Sequence, residues 1–104
     1  MVAAAFARIG RDRDIVLVDQ RGTGGSAPLA CELDEDDLTN GDPALVPALA
    51  RRCLDSLQGA GRDVRPYTTS VAVQDLDRVR AALGYERINL YGVSYGTRVA
   101  QHYL

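Results

Sequence analysis

The pentapeptide Gly92-Val93-Ser94-Tyr95-Gly96 limits what this 104-residue chain can fold into more than any other stretch. Alone, G-x-S-x-G is a common string. Its context gives it meaning: an apolar run, Ile88 to Val93, leads into it, and the residues from Tyr95 onward read as a helix. A serine between a buried strand and a helix start, with glycine two residues to either side, is the setting of a nucleophile elbow. The turn is tight enough to force the serine into a strained backbone conformation. Side chains at Gly92 and Gly96 are expected to collide with the neighbouring strand and helix. The Ser94 hydroxyl then stands exposed at a helix N-terminus. The Tyr95 amide points to where an oxyanion would form, and the helix dipole favours negative charge there. A Gly-Ser turn that merely closes a strand is the plainer reading, and the strand and helix on its two sides weigh against it.

The rest of the chain supplies matching elements. Asp14 to Asp19 is a continuous apolar run bounded by acids, which suits a strand buried on both faces of a parallel sheet. A glycine-rich loop follows from Gln20 to about Pro28, then an acidic stretch from Glu32 to Asp37. Pro43 opens a helix to about Leu57, with Leu45, Leu49, Leu54 and Leu57 as its apolar face and Gly59 and Gly61 at its end. A second helix spans about Ser70 to Leu83, where Ala72, Leu76, Val79 and Leu83 fall at helical spacing and Gly84 supplies the stop. The order helix, strand, helices, strand, helix predicts a three-layer α/β fold with a parallel sheet. The stretch Val2 to Ile9 reads as the end of a helix, and it lacks the basic residues that precede the apolar core of a signal peptide.

Charge narrows the partners. The formal net charge is −2, which predicts no attraction to nucleic acid or to an anionic membrane. No apolar run approaches the ~20 residues that cross a bilayer.

Taken together, the run Asp14-Ile15-Val16-Leu17-Val18-Asp19-Gln20-Arg21-Gly22-Thr23-Gly24-Gly25-Ser26, then Asp75-Leu76-Asp77, Leu83-Gly84-Tyr85 and Gly92-Val93-Ser94-Tyr95-Gly96-Thr97-Arg98, resembles the α/β-hydrolase serine aminopeptidases, the prolyl and tripeptidyl aminopeptidase group. The likeness extends from about Asp12 to Leu104. It implies that Ser94 is the nucleophile and that the Tyr95 amide is half of the oxyanion hole. It also implies that the other half, the catalytic aspartate and histidine, and the cap that binds a substrate's free N-terminus all lie outside these residues. Residues 1–104 are then an N-terminal or central fragment of one α/β-hydrolase catalytic domain. In that family the two strands seen here are separated by a third, so the fragment alone is expected to be unstable.

Other residues invite competing readings. The only histidine, His102, lies eight residues after Ser94 on one helix, roughly 12 Å along its axis, too far for a base. Gly22-Thr23-Gly24-Gly25-Ser26-Ala27 imitates a dinucleotide-binding fingerprint, but Pro28 and an acidic run follow where a helix must begin. The resemblance makes it a structural loop shaped by Asp19 and Arg21. Cys31 and Cys53 lack metal-ligand spacing. Either they form a disulfide, suiting a secreted or periplasmic protein, or they are reduced thiols of a cytosolic one; the disulfide is the expectation. Asp34 to Asp37 lacks the spacing of a calcium loop, and Asp75, Asp77, Arg78 and Arg80 read as the wet face of a helix. The expected function is that of a serine hydrolase, releasing N-terminal residues from peptides through a Ser-His-Asp triad, without cofactor or metal. The alternatives are an esterase or amidase acting on small molecules and a non-catalytic binding protein.

Overall fold

Thr68 sets the start of the central helix. Its hydroxyl accepts a hydrogen bond from the Val71 amide, and the helix runs Thr69–Ala82 until Gly84, at φ +79°, turns the chain away. The computed structural model describes residues 2–31, 36 and 41–104. Among these the elements are α1 (Val2–Ala5), α2 (Val46–Gly59), α3 (Thr69–Ala82) and α4 (Tyr95–Tyr103). A 3-10 turn, Pro43–Leu45, leads into α2, with the Asp42 carboxylate accepting from the Ala44 amide at 2.9 Å. Helix boundaries thus fall within a few residues of those expected. Of the expected apolar face, Leu49 and Leu57 in α2 are buried, and Leu45, in the 3-10 turn, is exposed. The acidic stretch lies mostly outside the described residues; Asp36 within it is exposed.

Helix α3 is the plank to which the other parts are fastened. Arg21 donates from Nε and Nη2 to the two carboxylate oxygens of Asp75, at 2.5 and 2.7 Å, and from Nη1 to the Pro66 carbonyl at 3.1 Å. This bidentate bond is the main reason that the Asp75 carboxyl is held below the usual carboxylate range. Asp75 is therefore not simply part of a wet helix face, as its spacing alone suggests. From α4, the Tyr95 hydroxyl meets Thr69 Oγ1 at 2.6 Å, and the Tyr103 hydroxyl donates to Asp77 at 2.7 Å. Both partners advance eight residues between these two bonds, so α3 and α4 run in the same direction. Successive crossover helices of a parallel α/β unit do the same.

The expected sheet itself is not formed among the described residues. Residues 14–19 and 87–92 make no backbone hydrogen bond to any other described residue. A ladder needs a neighbour about 4.8 Å away, and neither run has the other as that neighbour. Instead both runs line a groove of about 720 Å³, together with Leu76, Val79 and Leu83 of the α3 segment. Two contacts join residues that line it: Tyr85 Oη donates to Asp14 at 2.5 Å, and Phe6 packs edge-on against Tyr91 with ring centres 4.7 Å apart. Leu17 is 69% exposed and Val93 65%, although both belong to runs patterned for burial. Cys31 and Cys53 are joined as a disulfide with Cα atoms 5.3 Å apart, fastening α2 to the segment before it. By the chain-entropy estimate a loop of that length contributes about 3 kcal/mol.

The chain exposes 8472 Å², against about 5,700 Å² for a folded monomer of its size. Its radius of gyration is 17.3 Å, against about 13 Å for a compact domain of this length. So exposed and extended a chain does not support a two-state domain. The isolated 104-residue polypeptide is predicted to show no cooperative thermal transition by calorimetry. A sharp endotherm of about 60–80 kcal/mol, typical of a 100-residue domain, would contradict this.

Candidate active site

Ser94 is one of two non-glycine residues with positive φ among those described, at φ +54° and ψ −123°. A residue with a Cβ is held there only when its surroundings impose it, at a cost of about 1–3 kcal/mol. The cause is local. The Gly96 amide donates to the Val93 carbonyl at 2.8 Å, closing the turn under Ser94. The Thr97 amide and hydroxyl both donate to the Ser94 carbonyl, at 3.0 and 2.6 Å, starting α4 immediately afterwards. The serine is thereby pressed between the end of an apolar run and the first turn of a helix.

Glycine at position 92 is required by the same compression. A Cβ there would run into the carbonyl group of Gly96 and the Thr97 amide. The expectation for Gly96 is not met: a Cβ there meets nothing within 4 Å. The strand expected to crowd it has no counterpart beside it among the described residues.

The side chain of Ser94 is exposed and makes no hydrogen bond among the described residues. The Tyr95 amide likewise has no backbone acceptor, whereas the next amide, of Gly96, is engaged by Val93. An exposed serine hydroxyl and one amide without a backbone acceptor among the described residues therefore sit together at the N-terminus of α4, where the helix dipole favours negative charge.

Other residues singled out from the sequence lie elsewhere. His102 is on the last turn of α4, where Nε2 meets the Ser70 hydroxyl at 3.3 Å, and it fastens helices together. The Gly22–Ala27 loop folds on itself: the Gly22 amide donates to Ser26 at 2.7 Å, and the Gly25 amide donates to the Asp19 carboxylate at 3.0 Å. That carboxylate fills the space where a Cβ on Gly24 would sit. No helix opens directly after the loop, so its amides are not aimed as a pyrophosphate site requires. Thr69 is not legible as a site residue from the sequence. Its partner Tyr95 is 26 positions away, and no spacing rule links a helix start to a hydroxyl on the next helix.

Residues 2–104 match the family described as alpha/beta hydrolase fold. The chain is similar to the tripeptidyl aminopeptidases of Streptomyces lividans and Streptomyces coelicolor, at 32% identity over 112 residues, covering 97% of this chain and 21% of each relative. It is also similar to the serine protease Hip1 of Mycobacterium tuberculosis, at 31% identity over 106 residues, covering 86% of this chain and 20% of that protein. The chain thus spans about a fifth of the length of the curated relatives it matches. No solved structure matches it.

The backbone at Ser94 suits glycine better than any residue with a Cβ. In the full-length protein, Ser94→Gly is predicted to be more stable than Ser94→Ala by about 1 kcal/mol in denaturant unfolding, because only glycine relieves the positive φ. Equal stabilities, or a more stable alanine variant, would contradict the strained geometry.

Proposed function

The chain belongs to the α/β-hydrolase family, and from that premise we propose that residues 1–104 are the nucleophile-bearing part of the catalytic domain of a serine peptidase. The observation that carries the reading is Ser94, held at φ +54° beside the unoccupied Tyr95 amide. Ser94 Oγ attacks the scissile carbonyl and passes its proton to a histidine outside these residues, itself oriented by an acid. The Tyr95 amide donates to the oxyanion as charge develops; the C–N bond then breaks, the amine leaving with the proton that the histidine took, and water releases the acyl group from Ser94.

The tripeptidyl aminopeptidases among the relatives make release of residues from a peptide's free N-terminus the activity of choice. The two apolar runs, which line one groove without pairing, support a place within a larger sheet, with a further strand between them. The Cys31–Cys53 bond supports residence in an oxidising compartment, outside the cytosol.

In the full-length protein, Ser94→Ala should lower the turnover of aminoacyl- and peptidyl-anilides by roughly 10⁴-fold or more. Unchanged turnover would refute the assignment. Hydrolysis of nitrophenyl esters without any anilide cleavage would move the reading to an esterase.

A further inference from the structure

The elbow has one non-local side-chain hydrogen bond among the described residues, and it belongs to the residue whose amide faces the oxyanion. Tyr95 Oη and Thr69 Oγ1 lie 2.6 Å apart. The other polar contacts of the turn, from Gly96 and Thr97, are made within residues 93–97 and travel with it. They fix the shape of the turn but not its place in the molecule. Tyr95 is 48% exposed, so packing does little to hold its ring.

Thr69 is a firm anchor. It is the first residue of α3, directly after the Thr68 cap, and α3 is in turn fixed by the Arg21–Asp75 bond six residues further on. The tether ends on the residue whose backbone amide starts α4. Displacing the Tyr95 ring therefore displaces the donor itself, and not a distant part of the helix.

We propose that Thr69 is a positioning residue for catalysis: through its hydrogen bond to the Tyr95 hydroxyl it sets the location of the Tyr95 amide against the developing oxyanion. The inference rests on the proposed role of Ser94. An amide placed for the oxyanion acts as charge builds on the substrate oxygen and contributes little to ground-state binding. Loss of the tether should consequently appear in kcat and leave KM nearly unchanged. Complete loss of an oxyanion donor costs about 10²–10³ in kcat; a displaced donor should cost less, roughly ten-fold.

The test is a double-mutant cycle in the full-length protein with a peptidyl-anilide substrate. Thr69→Val and Tyr95→Phe should each lower kcat roughly ten-fold with KM within about two-fold. The double variant should be no worse than either single one, and Thr69→Ser should restore the wild-type rate. If Thr69→Val fails to fold, Tyr95→Phe, which removes one hydroxyl and adds no volume, carries the measurement. Unchanged kcat in Tyr95→Phe, additive losses in the double variant, or no rescue by serine would overturn the inference while leaving Ser94 as nucleophile. Wild-type protein with no activity, or Ser94→Ala with full activity, would instead overturn the reading on which it rests.

Discussion

Two oxygens of Asp75 and three nitrogens of Arg21 hold this chain in its arrangement. The guanidinium comes from the end of the first apolar run, and the carboxylate from the middle of α3, 54 residues later. The same guanidinium reaches the Pro66 carbonyl just before α3 and lies 5.8 Å over the Tyr67 ring. One side chain thus orients the run, the entry to the helix and the helix itself. With no sheet ladder among the described residues, these directed bonds replace what strand pairing would otherwise impose. The planar fork of arginine suits the task because it fixes direction as well as distance.

From α3 the order passes to the elbow. Thr69 and Asp77 receive Tyr95 and Tyr103, so the helix that follows Ser94 is held at both its ends against an element already oriented by Arg21. The glycine-rich loop plays a supporting part. Asp19 occupies the space beside Gly24 and accepts from Gly25, which keeps the loop compact beside the start of Arg21. A motif that imitates a phosphate cradle is in this setting a way of turning the chain so that Arg21 meets Asp75.

The elements that depend on local sequence are legible in the sequence itself. Apolar residues at helical spacing, with Gly61 and Gly84 beyond them, mark α2 and α3 to within a few residues, because caps and periodicity act over four or five positions. The elbow is legible for the same reason: Gly92 must be glycine because of atoms four and five residues away. The sheet is not realised among the described residues, since Ile15 to Val18 and Ile88 to Val93 have the composition of strands but pairing requires a neighbour that composition does not provide. The Arg21–Asp75 and Thr69–Tyr95 bonds are illegible as contacts, each linking residues that only the folded chain brings together. Asp75 in particular carries the pattern of a solvated face. Gly96 shows the converse, a glycine that the motif explains and its surroundings leave uncrowded.

If the strained turn makes Ser94 the reactive nucleophile of the full-length protein, a fluorophosphonate should find it. The decisive measurement is reaction with such a probe followed by peptide mass mapping. A single phosphonyl adduct on the peptide that holds Ser94, formed by native protein and absent after unfolding, is the predicted result. An adduct on a different serine, or labelling that survives unfolding, would contradict it.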